Sequence, residues 1–146
     1  MANVLEEVLD EEITKEYVVK RVDDWLKRLN DLYDLVESWL PSGWRAERQK
    51  SARMDERMMQ RFQIEARQVP VLELTSPSGE EASLQPRGLW IIGVNGRVDL
   101  YAGDRHFLIL DRSESFARPD WAISDFYNRS KVDKFDRATL IAALGK

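Results

Sequence analysis

The sequence predicts an α+β fold: an N-terminal antiparallel helical hairpin, a mainly antiparallel β-sheet of four or five strands, and a short C-terminal helix. Three observations carry this. Apolar residues between 13 and 40 recur at spacings of three and four, the period drops to two after Pro70, and the closing FDRATLIAALGK is helical again. The 146 residues read most simply as one domain, with 1–67 forming the hairpin and 68–146 a β-meander with its closing helix.

The first helix rests on Val18, Val22, Trp25, Leu29, Leu32, Val36 and Trp39, an a/d seam. Val19, Leu26, Tyr33 and Leu40 widen the stripe, as in a helix that packs against more than one neighbour. Val4, Leu5, Val8 and Leu9 keep the rhythm, so the helix can start there. Pro41-Ser42-Gly43 stops it, because proline cannot continue a helix and glycine permits the reversal. Residues 44–67 are expected to form the second helix, with Met54, Met58 and Phe62 as its apolar line and Arg53, Arg57 and Arg61 beside it. Residues 1–40 hold eleven acids and five bases, and 44–67 hold four acids and seven bases. The flanks of the two helices can therefore pair.

Beyond Pro70, VLELT (71–75) reads as a strand and SPSGEEAS (76–83) as a turn-rich loop. GLWIIGVNGRVDLYAGDRHFLILD (88–111) reads as three strands. Asn95-Gly96 is a strong signal for a two-residue hairpin, and Gly103-Asp104 supplies the next turn. In that register one face shows Leu89, Ile91, Gly93, Val98, Leu100, Ala102, Phe107 and Ile109, and is core. The other shows Trp90, Ile92, Val94, Arg97, Asp99, Tyr101, His106, Leu108 and Leu110. WAISDFY (121–127) is a last strand or an extended arm. In the closing helix Asp136 suits the N-cap and Gly145 the C′ position.

Several chemistries are disfavoured. The chain has no cysteine, hence no disulfide, zinc ribbon or thiol nucleophile, which fits a reducing, cytoplasmic location. No apolar run is long enough to span a membrane, and the acidic MANVLEEVLDEE is not a signal peptide. A net charge of −4 disfavours nucleic acid as a partner. No nucleophile elbow, Walker loop or dinucleotide fingerprint is present. No clustered spacing suggests a metal site, and no cofactor is expected. Asp99 and Asp111 project to opposite faces of one sheet, so they cannot share a nuclease metal ion.

Two sets of residues remain as candidates. Trp90, Asp99, Tyr101 and His106 lie on one sheet face and could form a small-ligand platform, with the rings stacking a flat molecule and His106 and Tyr101 supplying hydrogen bonds. Ordinary cross-strand aromatic packing explains the same row. Arg53, Arg57 and Arg61, with Trp25 and Trp39, could contact a partner, since arginine and tryptophan are common interface anchors. The wide-stripe helix, the two-sided apolar sheet and the missing catalytic groups favour a non-catalytic protein–protein interaction module of accessory, adaptor or immunity type. It is expected to form a homodimer or to bind another protein. The alternative is a ligand-binding domain built on Trp90, Asp99, Tyr101 and His106.

Overall fold

The computed structural model describes residues 13–91 and 93–145. The possible helical start at Val4–Leu9 and the strand position of Ile92 lie outside these. Helix α1 (Lys15–Trp39) is followed by β1 (Arg45–Glu47), β2 (Ser51–Met54), the one-turn α2 (Arg57–Arg61), β3 (Arg67–Pro70) and β4 (Leu72–Thr75). Then come β5 (Glu81–Gly88), β6 (Arg97–Ala102), β7 (Arg105–Asp111), β8 (Trp121–Asp125), β9 (Asn128–Lys134) and α3 (Arg137–Ala143). Seven strands form one antiparallel sheet in the order β1-β4-β5-β6-β7-β8-β9, and β2 pairs with β3 in a separate ribbon.

Helix α1 is capped at Thr14, whose hydroxyl accepts from Tyr17 N at 3.2 Å. It ends at Leu40, held extended by the following proline. Its predicted seam is real: Val18, Val22, Trp25, Leu29, Leu32 and Val36 are buried, and Trp39 half-buried. They pack on their own sheet, against a face formed by Leu72, Leu74, Leu84, Val98, Leu100 and Ile109. Burying each such side chain contributes about 1.5–3 kcal/mol, so the seam is the main bond between helix and sheet.

Two expectations are overturned. There is no helical hairpin: residues 44–67 supply two short strands, a five-residue helix and the approach to β3. One apolar residue every fourth position buries too little to hold a free-standing helix, whereas strand pairing uses a second periodicity in the same residues. Ala52 and Met54 turn inward while Ser51 and Arg53 point out, and β1 covers the edge of β4. The charge complementarity survives in another form. Arg48 pairs with Asp34 (2.6 Å) and Glu37 (2.9 Å) of α1, and Arg67 with Asp23 (2.9 Å).

The main sheet also has seven strands, more than the expected four or five. β1 was hidden in the expected helix, β5 in a stretch read as loop, and β9, NRSKVDK, carries one apolar residue and is exposed throughout. The predicted pairing of β6 and β7 holds, with Tyr101 opposite His106 and Asp99 opposite Leu108. The Asn95-Gly96 hairpin does not form. β6 pairs with Glu81–Gly88, and residues 89–96 are a connection that turns at Gly93. Asn95 is buried, accepting from Arg21 Nη2 (2.8 Å) and donating to Glu114 O (3.3 Å). Gly96 is glycine because α1 passes over it: a Cβ there would lie 2.2 Å from the Trp25 ring. The closing helix is as predicted, with Asp136 and Thr139 in a capping box and Gly145 at φ +79°.

Candidate functional site

Strand pairing makes β5, β6 and β7 neighbours and sets their alternate side chains on the sheet face opposite α1. Asp99 lies at the centre of this open face yet is only 1% exposed. Arg97 reaches it bidentately, from Nε to Oδ1 (2.7 Å) and from Nη2 to Oδ2 (2.9 Å). His106 Nε2 lies 2.7 Å from Oδ2. An ionised carboxylate only accepts, so this nitrogen carries the proton. Arg87 Nε (3.4 Å) and the Tyr101 hydroxyl (3.5 Å) complete the set, and Arg87 Nη2 also donates to the Tyr101 oxygen. Burial pushes the Asp99 carboxyl up, but the hydrogen bonds and charges of Arg97 and His106 outweigh it and hold it below the ordinary carboxylate range.

Above this carboxylate the rings form a stack. Tyr101 and His106 lie 4.4 Å apart at 21°, and His106 and Phe126 4.2 Å apart at 13°. The Arg87 guanidinium is over Tyr101 (5.6 Å), and that of Arg129 is over Phe126 (4.5 Å). Strand order puts the two arginines at opposite ends. The ring faces are thus taken by one another and by the guanidiniums, and the stack offers its edges outward. Among the described residues no second carboxylate and no hydroxyl is hydrogen-bonded to His106. The histidine is held as a structural donor between two rings.

Asp99, Tyr101 and His106 are therefore brought together as the sequence suggests, while Trp90 is not. It sits in the 89–96 connection, packed toward the core with Arg21 over its ring at 5.7 Å. Glu56 holds that connection, accepting from Leu89 N (3.0 Å) and Trp90 N (3.1 Å). Burial pushes the Glu56 carboxyl up despite those bonds. The third ring of the row is Phe126, at its other end against His106, and Arg87 covers the Tyr101 ring where Trp90 was expected. The signal for Phe126 was the alternation Ala122, Ser124 along β8 continued to Phe126 in the turn just after it, usable only once that strand is anchored to β7.

The other candidates disperse. Arg53 is exposed on β2 and pairs with Asp55 (3.2 Å). Arg57 begins α2, and Arg61 ends it over the Phe62 ring (5.4 Å). Trp25 is 1% exposed and lies 6.4 Å from Trp121, and Trp39 packs edge-on against Phe135 at 5.5 Å.

On the covered face a second carboxylate, Asp111, is fully buried and binds Arg28 of α1 (Nη1 to Oδ2, 2.8 Å). Its other oxygen accepts from Ser113 N and Asp120 N, both at 3.0 Å. Arg28 also reaches Asp24 (2.5 Å) and the carbonyl of Ala117. One ion pair thus ties the helix to the end of β7 and to the 112–120 loop. Asp99 and Asp111 do lie on opposite faces.

No known protein family matches the chain, and neither a curated protein nor a solved structure shows detectable similarity to it. Among the described residues no group of three or more histidines and carboxylates could hold a metal ion, and no helix is long and apolar enough to cross a membrane.

Proposed function

We propose that the chain is a non-catalytic protein–protein interaction module that self-associates as a dimer through the open face of its seven-stranded sheet. The observation that carries this is the division of charge across that face. Toward β1, strand register puts Glu47, Glu73 and Glu81 on the open side with Arg45, and Lys50 pairs with Glu73 at 3.2 Å, which leaves this half acidic by one charge. From β5 across to β9 the same side carries Arg87, Arg97, Arg129 and Lys134 around the sequestered Asp99, with Arg87 at the opposite end of β5 from Glu81. A two-fold axis lying between two such sheets, along the strand direction, lays the acidic half of each copy on the basic half of the other. Two twisted sheets pack face to face in this manner with strands about 30° apart. The half-buried Leu110 and the ring edges of Tyr101 and Phe126 give the contact apolar material.

The helical seam is spent on this chain's own sheet. The ligand-platform alternative has less support, since the stack closes its own ring faces and Trp90 stands apart. An adaptor or accessory role in the cytoplasm fits a cysteine-free chain with this surface. Native mass spectrometry across a dilution series tests the reading. The wild type is expected to be dimeric at high concentration, and Arg129→Glu to shift it toward monomer. A wild type that is monomeric throughout would overturn it.

A further inference from the structure

A cavity of about 280 Å³ opens on the helix-bearing side of the sheet, between β7–β9 and α3. Its floor is apolar, made by Phe107, Ile123, Ala142 and Ala143. Lys131 and Asp133 stand at its mouth, exposed and two residues apart on β9. They project to the same side, about 6.6 Å apart along the strand. Neither side chain is held by an ion pair or hydrogen bond among the described residues. Asp125, also at the rim, uses Oδ1 to accept from Tyr127 N at 2.7 Å. The volume is close to the lower limit of small-molecule sites, which combine an apolar lining with a few placed charges.

We propose that this cavity binds a free apolar α-amino acid. Its carboxylate meets Lys131, its ammonium meets Asp133, and its side chain lies on the Phe107–Ile123–Ala142–Ala143 floor. One strand repeat between them lets a head group that carries both charges on one carbon face the two side chains together. A simple fatty anion would leave Asp133 without a counter-charge, and a simple amine would leave Lys131 without one. The zwitterion is the species that supplies a counter-charge to both. The site is separate from the open face and does not depend on self-association.

Isothermal titration of the full chain with L-leucine, 4-methylpentanoate and 3-methylbutylamine tests this. Leucine is expected to bind saturably, and each analogue to bind more weakly by up to about fivefold, the size of an exposed ion pair. Lys131→Met should weaken leucine and not weaken the amine. Asp133→Asn should weaken leucine and not weaken 4-methylpentanoate. Both positions are exposed, so the fold tolerates the changes. Equal affinity for the three compounds, no saturable heat at the solubility limit of leucine, or leucine binding indifferent to both substitutions would each overturn the assignment.

Discussion

The two faces of the seven-stranded sheet each bury one aspartate against arginine, and they use it differently. Asp111, under α1, binds a guanidinium from another element and two backbone N–H groups of a loop, so it fixes how distant parts of the chain meet. Asp99, on the open face, is bound only by side chains of its own and neighbouring strands. It secures no other layer. It holds four side chains upright on a surface that no described element covers. A buried carboxylate costs solvation wherever it lies. Where the return is not in joining elements, the order of the surface itself is the return.

This contrast can be broken at several points. Asp111→Asn should have the largest effect, because Arg28 is 4% exposed and would lose its buried counter-charge. Removing one partner of a buried ion pair typically costs about 3–5 kcal/mol, and urea unfolding would measure it. Asp99→Asn should cost less, about 1.5–3 kcal/mol, the range for hydrogen bonds to charged groups. Arg87 and Arg97 are 45% and 24% exposed, so water can take them over. Equal losses at the two sites would erase the distinction drawn between the faces. Phe126→Leu should be smaller again, about 0.5–1.5 kcal/mol, because it removes the ring stacking and keeps most of the buried apolar area, with Asp111 and the covered face unchanged.

Acid should test the open face by itself. The Asp99 carboxyl is held below its unfolded value, so its contribution is complete above about pH 4, the ordinary aspartate range, and is lost as pH falls through the lower folded value. The stability gap between wild type and Asp99→Asn should therefore be constant above that range and shrink below it. A gap that does not change with acid would show that the charge of Asp99 is not what holds the row.

How much of this was legible depended on how each signal is encoded. The α1 seam, the β6–β7 register and the Asp136 cap are local patterns, and each was readable from adjacent residues. The second helix was misread because Met54, Met58 and Phe62 satisfy a helical period that tertiary pairing overrides. Asn95-Gly96 misled for the opposite reason. Its residues suit a hairpin, but Arg21 and Trp25, more than seventy positions earlier, claim them for the packing of α1. β9 has almost no apolar signal and is recognisable only beside β8. The Asp99–Tyr101–His106 cluster followed from register alone, while Phe126, Arg87 and Arg129 required the order of the strands.

The most direct test of the open face as the self-association surface is a mixing experiment read by sedimentation equilibrium. Arg129→Glu and Glu47→Lys should each weaken the dimer, since each sets like charges against one another. Mixed in equal amounts, they should recover a heterodimer close to wild-type affinity, because the reversed charges then face each other across the two-fold axis. Two variants that stay monomeric when mixed, or that dimerise as well as wild type alone, would contradict the account.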